Sequence, residues 1–225
     1  MQGPDFAGVE ALTFDCYGTL IDWESGILST LRPLLDGRGM SDDEVLERFA
    51  RLESELEAGP YRPYRDILSE VVRRLSVKPE TAVAESIRDW PPFPDTVDAL
   101  RRLKQRFRLG IISNVDDDLF ALTRRRLEVE FDWIVTAQQA RAYKPSLAPF
   151  QLFLERSGLA TDRVVHVAQS LYHDHVPARQ IGLQSVWVNR RAGRAGSGAT
   201  PPAEVKVPLE VPTLAALVHR LAIAP

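Results

Sequence analysis

Five short apolar runs, each ending at a polar residue, constrain the fold of this chain most strongly. They cover residues 9–14, 109–112, 133–135, 164–168 and 185–188. Near-continuous apolar runs of this length are typical of strands buried on both faces of a sheet. Amphipathic stretches separate them, at 96–107, 117–127, 148–157 and 175–181. This alternation predicts an α/β fold, a doubly wound parallel sheet with a Rossmann-like core.

Residues 24–91 interrupt the alternation. Ser41, followed three residues later by Glu44, forms a capping box that predicts the start of a helix, and further amphipathic stretches come after it. The sequence therefore predicts two units. The catalytic core comprises residues 1–23 and 92–225, and an all-helical cap of residues 24–91 is inserted directly after the first strand.

The chain beyond the fifth run shows two features. Residues 190–202 are rich in Gly, Ala and Arg, which predicts an exposed loop. Residues 214–223 predict a last helix that packs on the sheet.

Composition excludes several partners. The net charge is -3 and there is no long basic run, which argues against nucleic-acid binding. One cysteine permits no intramolecular disulfide and favours the cytoplasm. No signal peptide is recognisable, and no apolar stretch has the length of a membrane span. We expect a soluble, cytoplasmic protein without a nucleic-acid or membrane partner.

Polar residues follow three of the predicted strands. They are Asp15, Ser113 with Asn114, and the segment 169–174. Active sites of doubly wound sheets lie at the carboxyl ends of the strands, so these residues are expected to form one site.

Chemistry gives these side chains distinct roles. Asp15 can attack carbon or phosphorus and form an ester that water later cleaves. Thr19 can orient the Asp15 carboxylate, and Lys144 can keep it ionised and offset charge during reaction. Asp174 is the candidate that positions or deprotonates the hydrolytic water. We assign all four as catalytic.

Substrate binding is assigned to neighbouring groups. Ser113 and Asn114 can donate hydrogen bonds to a carboxylate or phosphate. Backbone N–H groups of the turn that contains Cys16 and Tyr17 can hold an anion, while the Cys16 side chain is expected to be a small buried filler. Ser170 completes the set on the core.

The segment 14–20, FDCYGTL, resembles the first signature of the haloacid dehalogenase superfamily. Ser113 and Asn114 resemble the second signature, residues 143–145 the third, and residues 170–174 part of the fourth. The order and spacing fit along the full length, and the helical insert stands where that superfamily carries its cap.

Two departures concern the substrate. Tyr17 stands where the superfamily's phosphatases carry a second aspartate that protonates the leaving group, and Gln169 stands where they carry an acidic metal ligand. Both changes argue against the activity of a Mg²⁺-dependent phosphatase. That activity remains an alternative, with Mg²⁺ as its cofactor. A halide leaving group needs neither an acid nor a metal.

The chain therefore resembles the 2-haloacid dehalogenase branch most. That resemblance implies attack of Asp15 on C2 of a short 2-haloacid, inversion there, and hydrolysis of the aspartyl ester. It implies a small 2-substituted carboxylate as substrate, no cofactor and no bound metal, and it suggests a homodimer. It also implies a cap arginine near the halide, for which Arg51 is the candidate.

A second alternative comes from the segment 169–175, QSLYHDH, which resembles an azetidine-2-carboxylate hydrolase, as do residues 13–23 and 93–97. That relative displaces a ring amine from carbon. Such an amine needs a proton, and Tyr172, His173 or His175 could supply it. Phe150 departs from the dehalogenases, which carry a tyrosine shortly after the Lys-Pro pair.

Overall fold

Six parallel strands form one sheet in the computed structural model, which describes residues 4–194 and 196–223. The strands are β1 Ala11–Phe14, β2 Arg108–Ser113, β3 Trp133–Thr136, β4 Val164–Ala168, β5 Gln184–Val188 and β6 Leu209–Val211. They lie in the order β3-β2-β1-β4-β5-β6, and every neighbouring pair is parallel. This is the strand order of a doubly wound Rossmann sheet, so the predicted fold class is confirmed.

The continuous apolar runs are explained by the two faces of the sheet. Successive side chains of a strand point to opposite faces. Leu12 and Ile111 belong to the larger apolar core, on the side that continues into the helical insert. Ala11 and Ile112, their neighbours in sequence, belong to a second core that also contains Phe153. Both faces are therefore covered, which favours apolar residues at most strand positions.

Strand β6 was not predicted. It has three residues, pairs with β5 at the edge of the sheet, and exposes Glu210 between two buried neighbours. A segment this short, with a charged residue at its centre, gives no continuous apolar run.

Four helices form the insert between β1 and the rest of the core. They are α1 Trp23–Leu31, α2 Asp42–Glu57, α3 Tyr64–Arg74 and α4 Ala82–Ser86, followed by a 3₁₀ turn at Ile87–Asp89. The capping box is present at the start of α2, because Ser41 Oγ accepts from the Glu44 N–H and the Glu44 carboxylate accepts from the Ser41 N–H. The helices pack on one another, and the domain bounds at 24–91 stay a prediction.

Six helices accompany the sheet. They are α5 Thr96–Lys104, α6 Asp117–Leu127, α7 Ala137–Ala140, α8 Ala148–Ser157, α9 Val176–Gln180 and α10 Leu214–Arg220. A π-helical turn, Leu171–His175, leads from β4 into α9. In the part of the chain that the structure describes, no helix combines the length and apolar character needed to cross a bilayer.

Asp116, which follows β2, binds the insert to the core. Its two carboxylate oxygens accept from the backbone N–H groups of Tyr64 and Arg65, each at 2.9 Å, at the start of α3. A carboxylate at a helix N-terminus satisfies free N–H groups and complements the helix dipole. The Tyr143 hydroxyl adds a second tie by donating to the Arg62 carbonyl at 2.7 Å.

The segment 190–202 is only in part the exposed loop that its composition predicts, since residues 192–194 and 196 are exposed and others are not. Arg191, Ala199 and Thr200 are buried. The cause is Glu24 of α1, whose carboxylate accepts from Arg191 Nη1 at 2.6 Å and from the Ala199 N–H at 3.1 Å. The segment is thereby held against the insert, next to the carboxyl edge of the sheet.

Candidate active site

Asp15 is the first residue after β1, and its backbone N–H donates to the Val167 carbonyl of β4 at 3.2 Å. A tight turn follows, in which Gly18 adopts φ +91°. A Cβ at this position would lie 2.9 Å from Trp23 Nε1, so glycine is required for both conformation and space. The turn brings Thr19 back to the carboxylate, where its Oγ1 donates to Asp15 Oδ2 at 2.8 Å.

Lys144 joins the two predicted catalytic carboxylates. Its Nζ lies 2.9 Å from Asp15 Oδ1 and 2.6 Å from Asp174 Oδ1, and it also donates to the Ile112 carbonyl at 2.9 Å. Burial alone would lower the pKa of this amine, but the charges of Asp15 and Asp174 outweigh burial and hold the pKa above its usual value. Lys144 is therefore a fixed cation between two anions.

Asp174 Oδ1 accepts hydrogen bonds from two side chains, those of Lys144 and His166. His166 Nε2 lies 2.9 Å from Asp174 Oδ1, and His166 Nδ1 lies 2.9 Å from Thr13 Oγ1. Burial would raise the pKa of Asp174, but Lys144 and His166 outweigh it and hold the pKa below its usual range. Asp174 Oδ2 has no hydrogen-bond partner although it is buried. The free oxygen of this ionised carboxylate can accept a hydrogen bond from water.

Asp15 is the more accessible of the two carboxylates. Its side chain is 10% exposed, against 1% for Asp174. Burial raises the pKa of Asp15 in spite of the opposing charge of Lys144. The charge of Lys144 and the hydrogen bond from Thr19 favour the ionised form of Asp15, which is the form that can act as a nucleophile.

A cavity with an empty volume of about 380 Å³ opens in front of Asp15. Core and insert both contribute to its wall, which consists of Asp15, Tyr17, Trp23, Glu53, Glu57, Tyr64, Ser113, Asn114, Lys144, Ser170, His173, Asp174 and Thr200. The structure thus brings together seven of the ten site residues proposed from sequence. Thr19 stands behind Asp15 as an orienting group.

Ser113, Asn114 and Ser170 surround the cavity on the core side. Ser113 Oγ is buried without a partner. Asn114 Oδ1 accepts from the Lys144 N–H at 2.8 Å, and its Nδ2 donates to the Lys144 carbonyl at 3.1 Å. Ser170 Oγ accepts from the His173 N–H at 2.9 Å. Ser113 is free to bind substrate, whereas Asn114 and Ser170 also fix the loops around it.

Cys16 and Tyr17 have different positions relative to the cavity. The Cys16 side chain is fully buried and does not line the cavity. The side chain therefore fills space in the core. The backbone carbonyl of Cys16 accepts hydrogen bonds from the N–H groups of Thr19 and Leu20. Tyr17 does line the cavity, but its hydroxyl is bound to Thr123 Oγ1 at 2.8 Å, and burial raises its pKa well above the usual value. Tyr17 therefore forms part of the cavity wall and does not serve as a general acid.

Arg51 is not brought into the cavity. It is exposed and lies in a surface depression with Met40 and Arg48, on a different side of α2. The reason is helix register, since residues four apart share a face. The face of α2 turned to Asp15 carries Glu53 and Glu57.

Glu53 and Glu57 are the main residues that sequence analysis missed. Tyr64 Oη donates to Glu53 Oε1 at 2.5 Å, and Asn114 Nδ2 donates to Glu57 Oε2 at 3.2 Å. Burial raises the pKa of Glu53 to about 7. Burial and the charge of Glu53 raise the pKa of Glu57 well above its usual value. The signal in the sequence that could have revealed them is their four-residue spacing on an amphipathic helix, which places both on one face.

The two histidines of the fourth motif have different positions. His173 lines the cavity, and its Nε2 is buried without a hydrogen-bond partner, 3.7 Å from Glu57 Oε2. His175 lies outside it, with Nε2 bound to the Ala168 carbonyl and Nδ1 to Ser185 Oγ, both at 2.9 Å. Burial lowers the pKa of each histidine to about 4, so both are neutral at pH 7.

A second cavity, of about 740 Å³, adjoins the first. Glu57, Lys144 and His173 line both of them, and Tyr172 lines the outer one. The shared lining residues place the two cavities side by side.

Among residues 4–194 and 196–223, no group of three or more His, Cys, Asp or Glu side chains is arranged to hold a metal ion. Gln169 is engaged elsewhere, because its Oε1 accepts from Thr200 Oγ1 at 3.2 Å. The ammonium group of Lys144 lies between Asp15 and Asp174.

The chain is similar in sequence to known hydrolases. A sequence model of the haloacid dehalogenase-like hydrolases matches residues 9–174. The chain belongs to this hydrolase family. Haloacetate dehalogenase H-2 of Moraxella sp. (strain B) is 29% identical over 96% of this chain and 99% of its own length. An (S)-2-haloacid dehalogenase of Pseudomonas putida is 26% identical over 82% of this chain and 86% of its own.

The fold is also that of solved members of the haloacid dehalogenase-like family. The L-2-haloacid dehalogenase of Xanthobacter autotrophicus, with chloropropionic acid covalently bound, superposes with a TM-score of 0.76. The match has 21% identity and covers 95% of this chain and 98% of that one. At this identity the likeness shows the fold alone.

Proposed function

We propose that the chain hydrolyses a short 2-haloacid through an ester of Asp15 and releases a 2-hydroxy acid. The arrangement of Asp15, Lys144 and Asp174 carries this proposal. It combines an accessible carboxylate, a buried cation and a second carboxylate with a free oxygen. Relatives that match this chain over most of its length are named as haloacetate and (S)-2-haloacid dehalogenases.

In the first step an Asp15 carboxylate oxygen attacks C2 of the substrate. The C2–halogen bond breaks, halide leaves with the electron pair, and C2 inverts. Ser113 Oγ can donate to the substrate carboxylate. A halide departs as a stable anion, so the proposed reaction uses no acid, metal ion or organic cofactor.

In the second step water adds to the Asp15 ester carbonyl. Asp174 Oδ2 accepts a hydrogen bond from the water and then its proton, and Lys144 stabilises the negative charge that develops on the carbonyl oxygen. Collapse releases the 2-hydroxy acid and restores the Asp15 carboxylate. The product oxygen therefore comes from Asp15, and the water oxygen enters Asp15.

The test combines chloride release with isotope labelling. Wild-type protein should release chloride from 2-chloropropionate in the presence of EDTA, and Asp15→Asn should not. In a single turnover in oxygen-18 water, the peptide that contains Asp15 should gain the label and the product should not. Label in the first product, or no haloacid turnover at all, would contradict the proposal.

A second candidate, ring opening of azetidine-2-carboxylate, is favoured by Glu57. This acidic side chain lines the cavity next to His173, where the nitrogen of a displaced amine could be bound. His175 cannot supply the proton, since both of its ring nitrogens are engaged. Consumption of azetidine-2-carboxylate that is lost in Glu57→Gln would support this candidate.

No feature of the site favours the Mg²⁺-dependent phosphatase. The predicted homodimer and cytoplasmic location stay predictions.

A further inference from the structure

The cavity in front of Asp15 is unusually acidic for a site that takes a carboxylate. Four carboxyl groups line it, from Asp15 and Asp174 on the core and from Glu53 and Glu57 on α2. Among the described residues of its wall, Lys144 is the one side chain with a positive charge at pH 7, because His173 is neutral. Lys144 is already shared between two carboxylates.

The acidic groups on α2 lack strong partners. Glu57 accepts from Asn114 Nδ2 at 3.2 and 3.4 Å, and its next neighbour is His173 Nε2 at 3.7 Å. Its side chain is 5% exposed. Glu53 lies one helical turn before it and receives a hydrogen bond from Tyr64. A buried carboxylate so weakly bound has unused acceptor capacity.

A second, independent observation points to a bound molecule. Ser113 Oγ and Asp174 Oδ2 line the same cavity without a hydrogen-bond partner, and their residues are 2% and 0% exposed. One is a hydroxyl that can donate to an anionic group. Asp174 Oδ2, by contrast, is an acceptor without a partner, and it can accept a hydrogen bond from a donor group of a bound molecule. The cavity therefore fits a ligand with a carboxylate at one end and a donor at the other.

Extending the proposed function, we infer that the natural substrate carries a protonated amine in addition to its carboxylate, and that Glu57, supported by Glu53, binds this ammonium group. A substrate that is only an anion would add negative charge beside Asp15 and Asp174, and it would offer no hydrogen-bond donor to the carboxyl oxygens of Glu53 and Glu57. A zwitterionic substrate adds none, and its ammonium group provides the donors that Glu57 lacks. The substrate class is thus a small zwitterionic 2-substituted carboxylate.

The decisive measurement is equilibrium binding and needs no turnover. Calorimetry would compare 3-aminopropionate with propionate, which differ by the ammonium group, in wild type, Glu57→Gln and Glu55→Gln. Glu55 lies on the same helix but is exposed, with 61% of its side chain accessible. We expect wild type and Glu55→Gln to prefer 3-aminopropionate by about tenfold in Kd, and Glu57→Gln to reduce the preference to about threefold or less.

Several outcomes would overturn the inference. They are equal or tighter binding of propionate by the wild type, an unchanged preference in folded Glu57→Gln, and no binding of either compound at millimolar concentration. If Glu57→Gln does not fold, the wild-type preference alone decides.

A turnover assay separates this inference from the proposed function. Its substrates are 2-chloropropionate, 3-amino-2-chloropropionate and azetidine-2-carboxylate, with Asp15→Asn as the inactive reference. Preference for 2-chloropropionate over its amino derivative would refute the ammonium subsite and leave the dehalogenase proposal standing. Preference for the amino derivative or for azetidine-2-carboxylate supports the subsite, and the two products show whether halide or nitrogen leaves.

Discussion

Replacement of Glu53 by Gln should change how stability depends on pH. In the folded protein burial raises the Glu53 pKa to about 7, from an ordinary value of 4.5. Between these two values the folded state holds a proton that the unfolded state releases. Wild-type stability must therefore fall as pH rises from about 4.5 to about 7.

The size of the effect follows from the pKa difference of about 2.5 units. At about 1.4 kcal/mol per unit, it corresponds to ~3 kcal/mol in the free energy of unfolding. Glutamine stays neutral and keeps an acceptor for the Tyr64 hydroxyl. Glu53→Gln should thus match wild type near pH 4.5 and exceed it by up to ~3 kcal/mol above pH 7.

Urea unfolding followed by circular dichroism, at several values from about pH 4.5 to about pH 8.5, measures the difference directly. Glu55→Gln is the control, because it makes the same chemical change on the exposed side of α2. Its stability should run parallel to wild type. If Glu53→Gln also runs parallel, with a constant offset at every pH, the buried and protonated state assigned to Glu53 is wrong.

Three further variants test other contacts. Gly198→Ala should lower Tm by several degrees because a Cβ there collides with the Glu24 carboxylate, and an unchanged calorimetric Tm would refute that packing. Asp116→Ala removes the two acceptors at the start of α3 and should cost about 1–2 kcal/mol in urea unfolding; a loss near zero would show that this tie is weak. His166→Phe removes a donor from Asp174 and should lower kcat about tenfold or more with KM nearly constant, and a change confined to KM would contradict the assigned role.

The sequence predicted best what depends on strand ends. Asp15, Ser113 and Asp174 follow buried strands, and a parallel sheet necessarily collects such residues at one edge. Lys144 was placed by its motif, and the structure puts its ammonium group between the two aspartates. His166 lies in the apolar run that forms β4 and is buried, but it also holds Asp174, which strand periodicity alone could not reveal.

Features that depend on packing between distant segments were predicted poorly. Arg51 and Glu53 are two residues apart and therefore lie on nearly opposite faces of α2, and the sequence alone does not fix which face is turned to Asp15. The loop 190–202 has the composition of an exposed segment, yet Glu24 draws Arg191 inward. No local pattern encodes a partner that lies more than a hundred residues away.

The bridge that Lys144 makes between Asp15 and Asp174 has a consequence for the reaction cycle. In the proposed reaction Asp15 becomes a neutral ester, so the ammonium group of Lys144 keeps one anionic partner, Asp174, while the halide leaves. Hydrolysis of the ester restores the second anion. The two carboxylates of the site then compete with the product carboxylate for the same cation, which favours product release under this proposal.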